Sequence, residues 1–312
     1  MQATTRMDQT GPLSDPRSFQ ILALSGMLAY GLSRLDFTQY IGLFPVYVGS
    51  ALITQFIGLK ILRHLRPELP VRFEFQSALI SSLSLCLLLR VGSPYLAVLA
   101  GVLTIAGKFL IRYNGKHIFN PSLFGILAVV LLSDAAWISP GQWGREGLLL
   151  FGVCCAGGMV LFRALRSDIS LAFLGAYCGL VLARGLYLGD PLAITVHQLS
   201  NGALLIFAFF MISDPKSTPD ARPGRVLFAV AVAATAVYMQ FVQYNTGGLL
   251  WSLGLWSLAV PLIDRILPAA RYEWRAPNHS SQPSENNHEH EQTRADHSRA
   301  YDRHALVQPG VQ

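Results

Sequence analysis

Two polar clusters stand where a membrane-buried site would need them. Gln76 and Ser77 open one short apolar run, and His197, Gln198, Ser200, Asn201 and Gly202 open another. Amides and hydroxyls beside the N–H groups and positive dipole end of a helix start can hold an anionic or strongly polar group away from bulk water. His197 is the ionisable member. With an unperturbed pKa near neutrality it could shuttle a proton, or it is an interfacial histidine on the outer side. The runs themselves, 78–89 and 202–212, offer about a dozen residues where a bilayer crossing needs about 20. They read either as ordinary tilted helices with polar ends or as broken helices in matching places of two halves. The second arrangement is the one around which secondary transporters build a mid-membrane site.

A second set of candidates flanks the apolar runs. Asn120 can cap a helix and Pro121 suits its first position, so Asn120 either closes one side of a central cavity or is a plain cap. Asp214, Pro215, Lys216, Arg222 and Arg225 form a charged turn that stops a short helix or faces a partner. Lys116, Asn120, Pro121, Asp214, Pro215 and Arg225 together read as a cytoplasmic gate. Asp264, beside Arg265 near the end of the last run, reads equally as an ion contact or a helix anchor. Cys86, Cys154, Cys155 and Cys178 lie in apolar runs without CxxC spacing, and the adjacent Cys154 and Cys155 would point about 100° apart on a helix. His288 and His290 flank Glu289 in a polar tail that reads as solvated low complexity. No metal site is expected. No phosphate-cradling glycine loop and no Ser-His-Asp context marks the spans, so no catalytic residue is assigned.

Hydrophobic helices must position these residues. The chain is 52% hydrophobic and 13% charged, against about a quarter charged in soluble domains. Apolar runs cover 18–33, 40–62, 78–89, 94–111, 119–133, 146–162, 169–188, 192–212, 224–242 and 247–267. The pattern predicts an all-α polytopic membrane protein of about ten transmembrane helices in two five-helix repeats, with short third and eighth helices. Five is odd, so the second half is expected inverted. A polar N-terminal segment (1–17), a membrane domain (18–275) and a disordered polar tail (276–312) follow from the composition, and no cleavable leader is expected. Basic residues concentrate on alternate loops, which places both termini in the cytoplasm of a multi-pass plasma (inner) membrane protein. The net charge of +6 is then a record of topology rather than a nucleic-acid footprint. Trp137 and Trp143 in the short outer loop read as an interfacial belt or as stacking partners for a flavin.

Three strings carry a family resemblance in their order and spacing: KHIFNPSLFGILAVVLLSD, HQLSNGALLIFAFFMISDPKSTPDARPGR and NTGGLLWSLGLWSLAVPLIDR. Their cores are Phe119 to Pro121, Ser213 to Pro215 with Gly224 and Arg225, and Val260 to Asp264. The set resembles the RnfD/NqrB family of membrane subunits, found in ion-translocating ferredoxin:NAD and NADH:quinone oxidoreductases, from about Gln76 to Tyr272. That resemblance implies two inverted five-helix halves with broken third and eighth helices, redox-linked ion or electron transport, and other membrane or redox subunits as partners within the lipid bilayer. Family members also carry FMN joined by a phosphoester to a threonine, in a motif like Ser-Gly-Ala-Thr on an insertion between the fifth and sixth spans. Here the loop from Ser133 to Arg145 contains no threonine, and the nearest string, Ser200 to Leu204, ends in leucine. A covalent flavin is therefore expected to be absent, while a noncovalent one, FMN or riboflavin, stays open. The short form is similar to a branch labelled as enediyne-biosynthesis membrane proteins.

Three functional readings follow. The chain is an RnfD/NqrB-like subunit, at most a non-catalytic part of an oxidoreductase or translocase; a stand-alone transporter or channel for a small polar solute or ion; or a membrane anchor for a biosynthetic or export complex.

Overall fold

A computed structural model describes residues 16–34, 37–68, 75–139, 158, 167–200 and 202–271. Apart from Gly158, the apolar run at 146–162 lies outside the described residues. So do Trp143, Arg145, Cys154, Cys155, Asn201 and the tail with His288 and His290. Residues Met1–Tyr272 make one compact unit, to which all the elements below belong.

The first five helices are α1 (Pro16–Arg34), α2 (Phe44–Leu65), α3 (Phe75–Leu88), α4 (Pro94–Leu110) and α5 (Pro121–Leu132), with a 3-10 turn over Phe37–Leu43 before α2. Proline sits in the first turn of α2, α4 and α5, where its missing N–H would have had no helical partner. The Ser93 side chain accepts from Tyr95 N–H to start α4. The third helix is short, as expected, at 14 residues, but so are α4 with 17 and α5 with 12; α3 gives way to strand β1 (Leu89–Val91). This strand pairs antiparallel with β4 (Ala136–Ile138), Leu89 opposite Ile138, so the ends of α3 and α5 are tied together. Between α4 and α5 lies a hairpin of β2 (Arg112–Tyr113) and β3 (Lys116–His117). Its corner is Asn114-Gly115, with φ of 48° and 82°, the left-handed pair that an Asn-Gly corner accepts at little cost.

The later part contains α6 (Ser167–Leu188), α7 (Leu192–Leu199), α8 (Gly202–Ile206) running into a π-helical turn over Phe207–Met211, α9 (Arg222–Phe241), α10 (Gly248–Ser257) and α11 (Val260–Ile266). Ile41–Leu65, α6 and α9 are each long and apolar enough to cross a membrane. Two bent pairs raise the number to five among the described residues: Leu192–Leu199 with Ala203–Met211, at 49°, and α10 with α11, at 48°. The sequence leads one to expect a short eighth helix, and a break falls there. It does not lead one to expect the bend at 258–259, because 247–267 reads as one run. Pro261 supplies the reason: it has no N–H for the preceding turn and crowds the carbonyl four residues back.

Packing is tight where small residues face each other, the usual route to close helix approach in membranes. A Cβ on Gly101 would collide with Ser50 Oγ, where α4 meets α2. One on Gly125 would collide with Thr104 Oγ1 and lie 3.0 Å from the Ala100 carbonyl, where α5 meets α4. In the later part α9 packs most extensively on α6 and also on α10. Tyr177 donates to Gln240 (2.6 Å) across the first contact and Trp256 to Thr235 (2.9 Å) across the second.

Candidate functional site

The β2–β3 hairpin carries Lys116 onto the later part of the chain. Its ammonium lies 2.7 Å from Asp264 and 3.0 Å from Asp220, and the second Asp264 oxygen accepts from the Asp220 backbone N–H at 2.9 Å. The Lys116, Asp264 and Asp220 side chains keep only 14%, 20% and 8% of their exposure, so the charges are largely shielded from water and strongly felt. Asp264, read from the sequence as an ion contact or helix anchor, is thus bound to a lysine 148 residues earlier.

The 214–225 turn continues this charged face. Asp214 folds on itself, accepting from Lys216 N–H and the Ser217 hydroxyl, which is the punctuation expected of a short acidic turn; Pro215 follows directly. Arg225 donates to Asp168 (2.8 Å) and to the Asp220 carbonyl (2.6 Å), joining the start of α9 to the start of α6. Asn120 behaves as a cap: its side-chain oxygen accepts from Ser122 N–H (3.1 Å), Leu123 N–H (3.4 Å) and the Ser122 hydroxyl (2.7 Å), with Pro121 at the first helical position. Lys116, Asp264 and Arg225 therefore share one network through Asp220, whereas Asn120 and Asp214 serve their own backbones.

A second polar group lies among the helices. Lys108, at the end of α4, donates to Gln55 Oε1 (3.3 Å) and Ser77 Oγ (3.1 Å); Gln55 is 1% exposed and Lys108 8%. Of the residues expected to form a central polar site, Ser77 thus meets α2 and α4, and Gln76 is half-buried beside it. Ser200 turns back to the Val196 carbonyl of its own helix (2.7 Å), Gln198 is half-buried, His197 is exposed, and Gly202 begins α8.

His117, beside Lys116 on β3, is 8% exposed. Burial, and then the nearby charges of Arg112, Lys216 and Lys108, push its pKa down to about 3, opposed weakly by a hydrogen bond to the Lys108 backbone. The ring is neutral at physiological pH, and Nδ1 has no hydrogen-bond partner. Burial also lowers the pKa of Arg112. Gln55, Lys108, His117, Asp168 and Asp220 are not among the site residues that the sequence suggests. The one local signal is a glutamine and a lysine inside or at the edge of apolar runs, which in a bilayer calls for a named partner.

Residues 138–273 match the model of the NQR2, RnfD, RnfE family. The SDP turn, Arg225 and VPLID fall inside that match, and the FNP motif at Phe119 to Pro121 lies before it. The chain is similar to the D subunit of the ion-translocating oxidoreductase complex of Psychromonas ingrahamii, 31% identical over 36% of this chain and 33% of the relative. It is 27% identical to the D subunit from Erwinia tasmaniensis over 46% of this chain and 37% of the relative, and 32% identical to that from Escherichia coli O81 over 43% and 36%. The alignments span about a third of the length of these curated relatives.

Proposed function

We propose, starting from the NQR2, RnfD, RnfE match over residues 138–273, that this chain is an integral membrane subunit of a redox-linked ion-transport or electron-transport assembly. The observation that carries the reading is the meeting of Lys116, Asp220, Arg225 and Asp264, because it joins residues inside the matched stretch to a hairpin outside it. Two family-like strings and the hairpin that introduces a third thus become parts of one charged face. The relatives are named as subunits of an ion-translocating complex, and other membrane or redox subunits are the proposed partners of that face.

About ten spans in two inverted repeats are part of this proposal, with cytoplasmic termini in the inner membrane. Two features support a repeat. In the first half α4 packs on α2 and α5, and in the second α9 packs on α6 and α10. Asn120 Oδ1 accepts from Ser122 N–H before α5, and Asn245 Oδ1 accepts from Gly247 N–H before α10. The chain is proposed to act without a covalent flavin, since the loop after α5 offers no threonine and Ala136–Ile138 is engaged as β4. Any FMN or riboflavin would be held noncovalently. Gln76, Ser77, His197, Gln198, Ser200, Asn201 and Gly202 are proposed as the polar centre, with Gln55 and Lys108 added by contact with Ser77.

A second reading, a stand-alone channel or transporter for a small polar solute, is favoured by one observation: the Gln55–Ser77–Lys108 set places a lysine among apolar helices, where polar groups commonly mark a solute path. An anchor role rests on the charged face alone. Absorption spectra of washed, purified protein separate the first two. A flavin band that withstands washing and leaves on denaturation supports the redox reading; colourless protein that moves a small polar solute into liposomes overturns it.

A further inference from the structure

Tyr95, Tyr187 and Tyr244 are 85%, 88% and 83% exposed, and contacts made by their elements bring all three to one end of the helices. Tyr95 stands in the first turn of α4, just after β1, and β1 pairs with β4, which carries the half-exposed Trp137. A Cβ on Gly247 would lie 2.7 Å from Ile138 Cδ1 of β4, so the corner between α9 and α10, with Tyr244 in it, reaches the same end. The Arg184 guanidinium lies 4.6 Å from the centre of the Phe241 ring, which sets the end of α6, with Tyr187, beside the end of α9.

The opposite end carries the charged network. Asp168 and Arg225 meet at the starts of α6 and α9, next to Asp220, Lys116 and Asp264. The two helices have 22 and 20 residues, about 33 and 30 Å at 1.5 Å per residue. That is the thickness of the hydrocarbon core of a bilayer. With the charged network level with one surface, the tyrosines are level with the other. Tyrosine suits that level, because its ring is apolar and its hydroxyl is wet, and such side chains settle among headgroups.

Tyr244 is held there at a cost. Its φ is 56°, a left-handed conformation that glycine takes freely and bulky side chains rarely adopt. Asn245 N–H donates to the Met239 carbonyl (2.9 Å), closing the corner in that form. A ring so exposed finds little within its own chain to offset the strain, so the compensating contact lies outside it. Three rings at one level on three separate elements fit a flat layer rather than a single patch on a partner.

We infer, given the membrane placement proposed above, that Tyr95, Tyr187 and Tyr244 sit in the phospholipid headgroup layer, where Tyr244 anchors the corner between α9 and α10.

The experiment uses the full chain in vesicles of phosphatidylethanolamine and phosphatidylglycerol, with photoreactive p-benzoylphenylalanine in place of Tyr95, Tyr187, Tyr244 or Val230, one at a time. Val230, exposed within α9, is the control for the hydrocarbon core. After irradiation, mass spectrometry reads which part of the lipid is joined. The tyrosine positions are expected to join headgroup and glycerol carbons, and Val230 acyl chains alone. Tyrosine positions that yield no lipid adduct, or acyl-chain adducts alone, while Val230 joins lipid, overturn the inference and leave the membrane placement standing. No lipid adduct at Val230 overturns the placement itself. The same variants irradiated in cell membranes cover a protein partner: crosslinks from the tyrosine positions to a second protein in place of lipid also overturn the inference. Tyr244→Gly relieves the backbone and should raise the melting temperature in detergent by about 2–4 °C, but by less in vesicles, where the anchoring ring is lost. An equal rise in both overturns the role given to Tyr244.

Discussion

Replacing Lys116 with methionine keeps most of the aliphatic stem and removes the charge that faces both Asp264 and Asp220. Breaking a fully buried ion pair by deleting one partner costs about 3–5 kcal/mol, because the remaining charge is stranded. Here the three side chains retain 14%, 20% and 8% of their exposure, and solvent screens part of the loss; about 2–3 kcal/mol is the expected cost. For a chain of this size each kcal/mol moves the melting temperature by about 2–4 °C, so a drop of roughly 4–12 °C is expected in detergent. Asp264→Asn alone keeps an oxygen able to accept from Asp220 N–H and should cost less. The informative quantity is the double variant, in which one of the two stranded carboxylates, that of Asp264, is gone and Asp220 remains. Its destabilisation should fall short of the sum of the singles by at least about 1 kcal/mol. Additivity within about 0.5 kcal/mol, the usual result for independent sites, would falsify the claim that this pair joins the two parts of the chain.

His117 gives a pH prediction of definite sign. Its folded pKa is about 3, below the unfolded value of about 6.5, so the neutral ring contributes stability that is whole above about 6.5 and is lost as pH falls toward 3. Between pH 7 and pH 5 the loss attributable to His117 is on the order of 2 kcal/mol, and melting curves of His117→Asn should lack it; parallel pH profiles would mean that His117 protonates freely in the folded protein. Asn120→Ala should cost about 1 kcal/mol, with Asn120→Asp retaining most of the cap; thermal unfolding that ranks both variants equally would remove the cap from the explanation of α5. Gly125→Ala should cost about 1–3 kcal/mol by overpacking against Thr104 and the Ala100 carbonyl, measured the same way, and a neutral substitution would show that α4 and α5 are farther apart than this packing requires.

What the sequence revealed was mostly local. The Asn120-Pro121 helix start, the short α3, the interruption near Ser200 and the bounds of α4, α6 and α9 all follow from caps, prolines and the length of apolar runs, signals that sit within a few residues of the element they shape. Lys116 and Asp264 were each legible as motif residues, but not as partners, because nothing in either string specifies a contact across 148 residues. The same applies to Gln55, Ser77 and Lys108, which come from three helices, and to β1 with β4, whose three-residue strands are too short to show an alternating pattern. Nothing local marks Asp168 or Asp220, whose partners Arg225 and Lys116 are far away in the sequence. The bend before α11 was hidden because Pro261 lies in a run apolar enough to look continuous.

The most direct measurement is the composition of the native assembly. The full-length chain, tagged and extracted from its own membrane in mild detergent, should run as a complex on a native gel and bring flavoprotein or iron–sulfur subunits in fixed ratio, with Lys116→Met weakening their retention. A chain that elutes alone in the same detergent, colourless and with its melting temperature intact, would contradict a place in a redox-linked assembly.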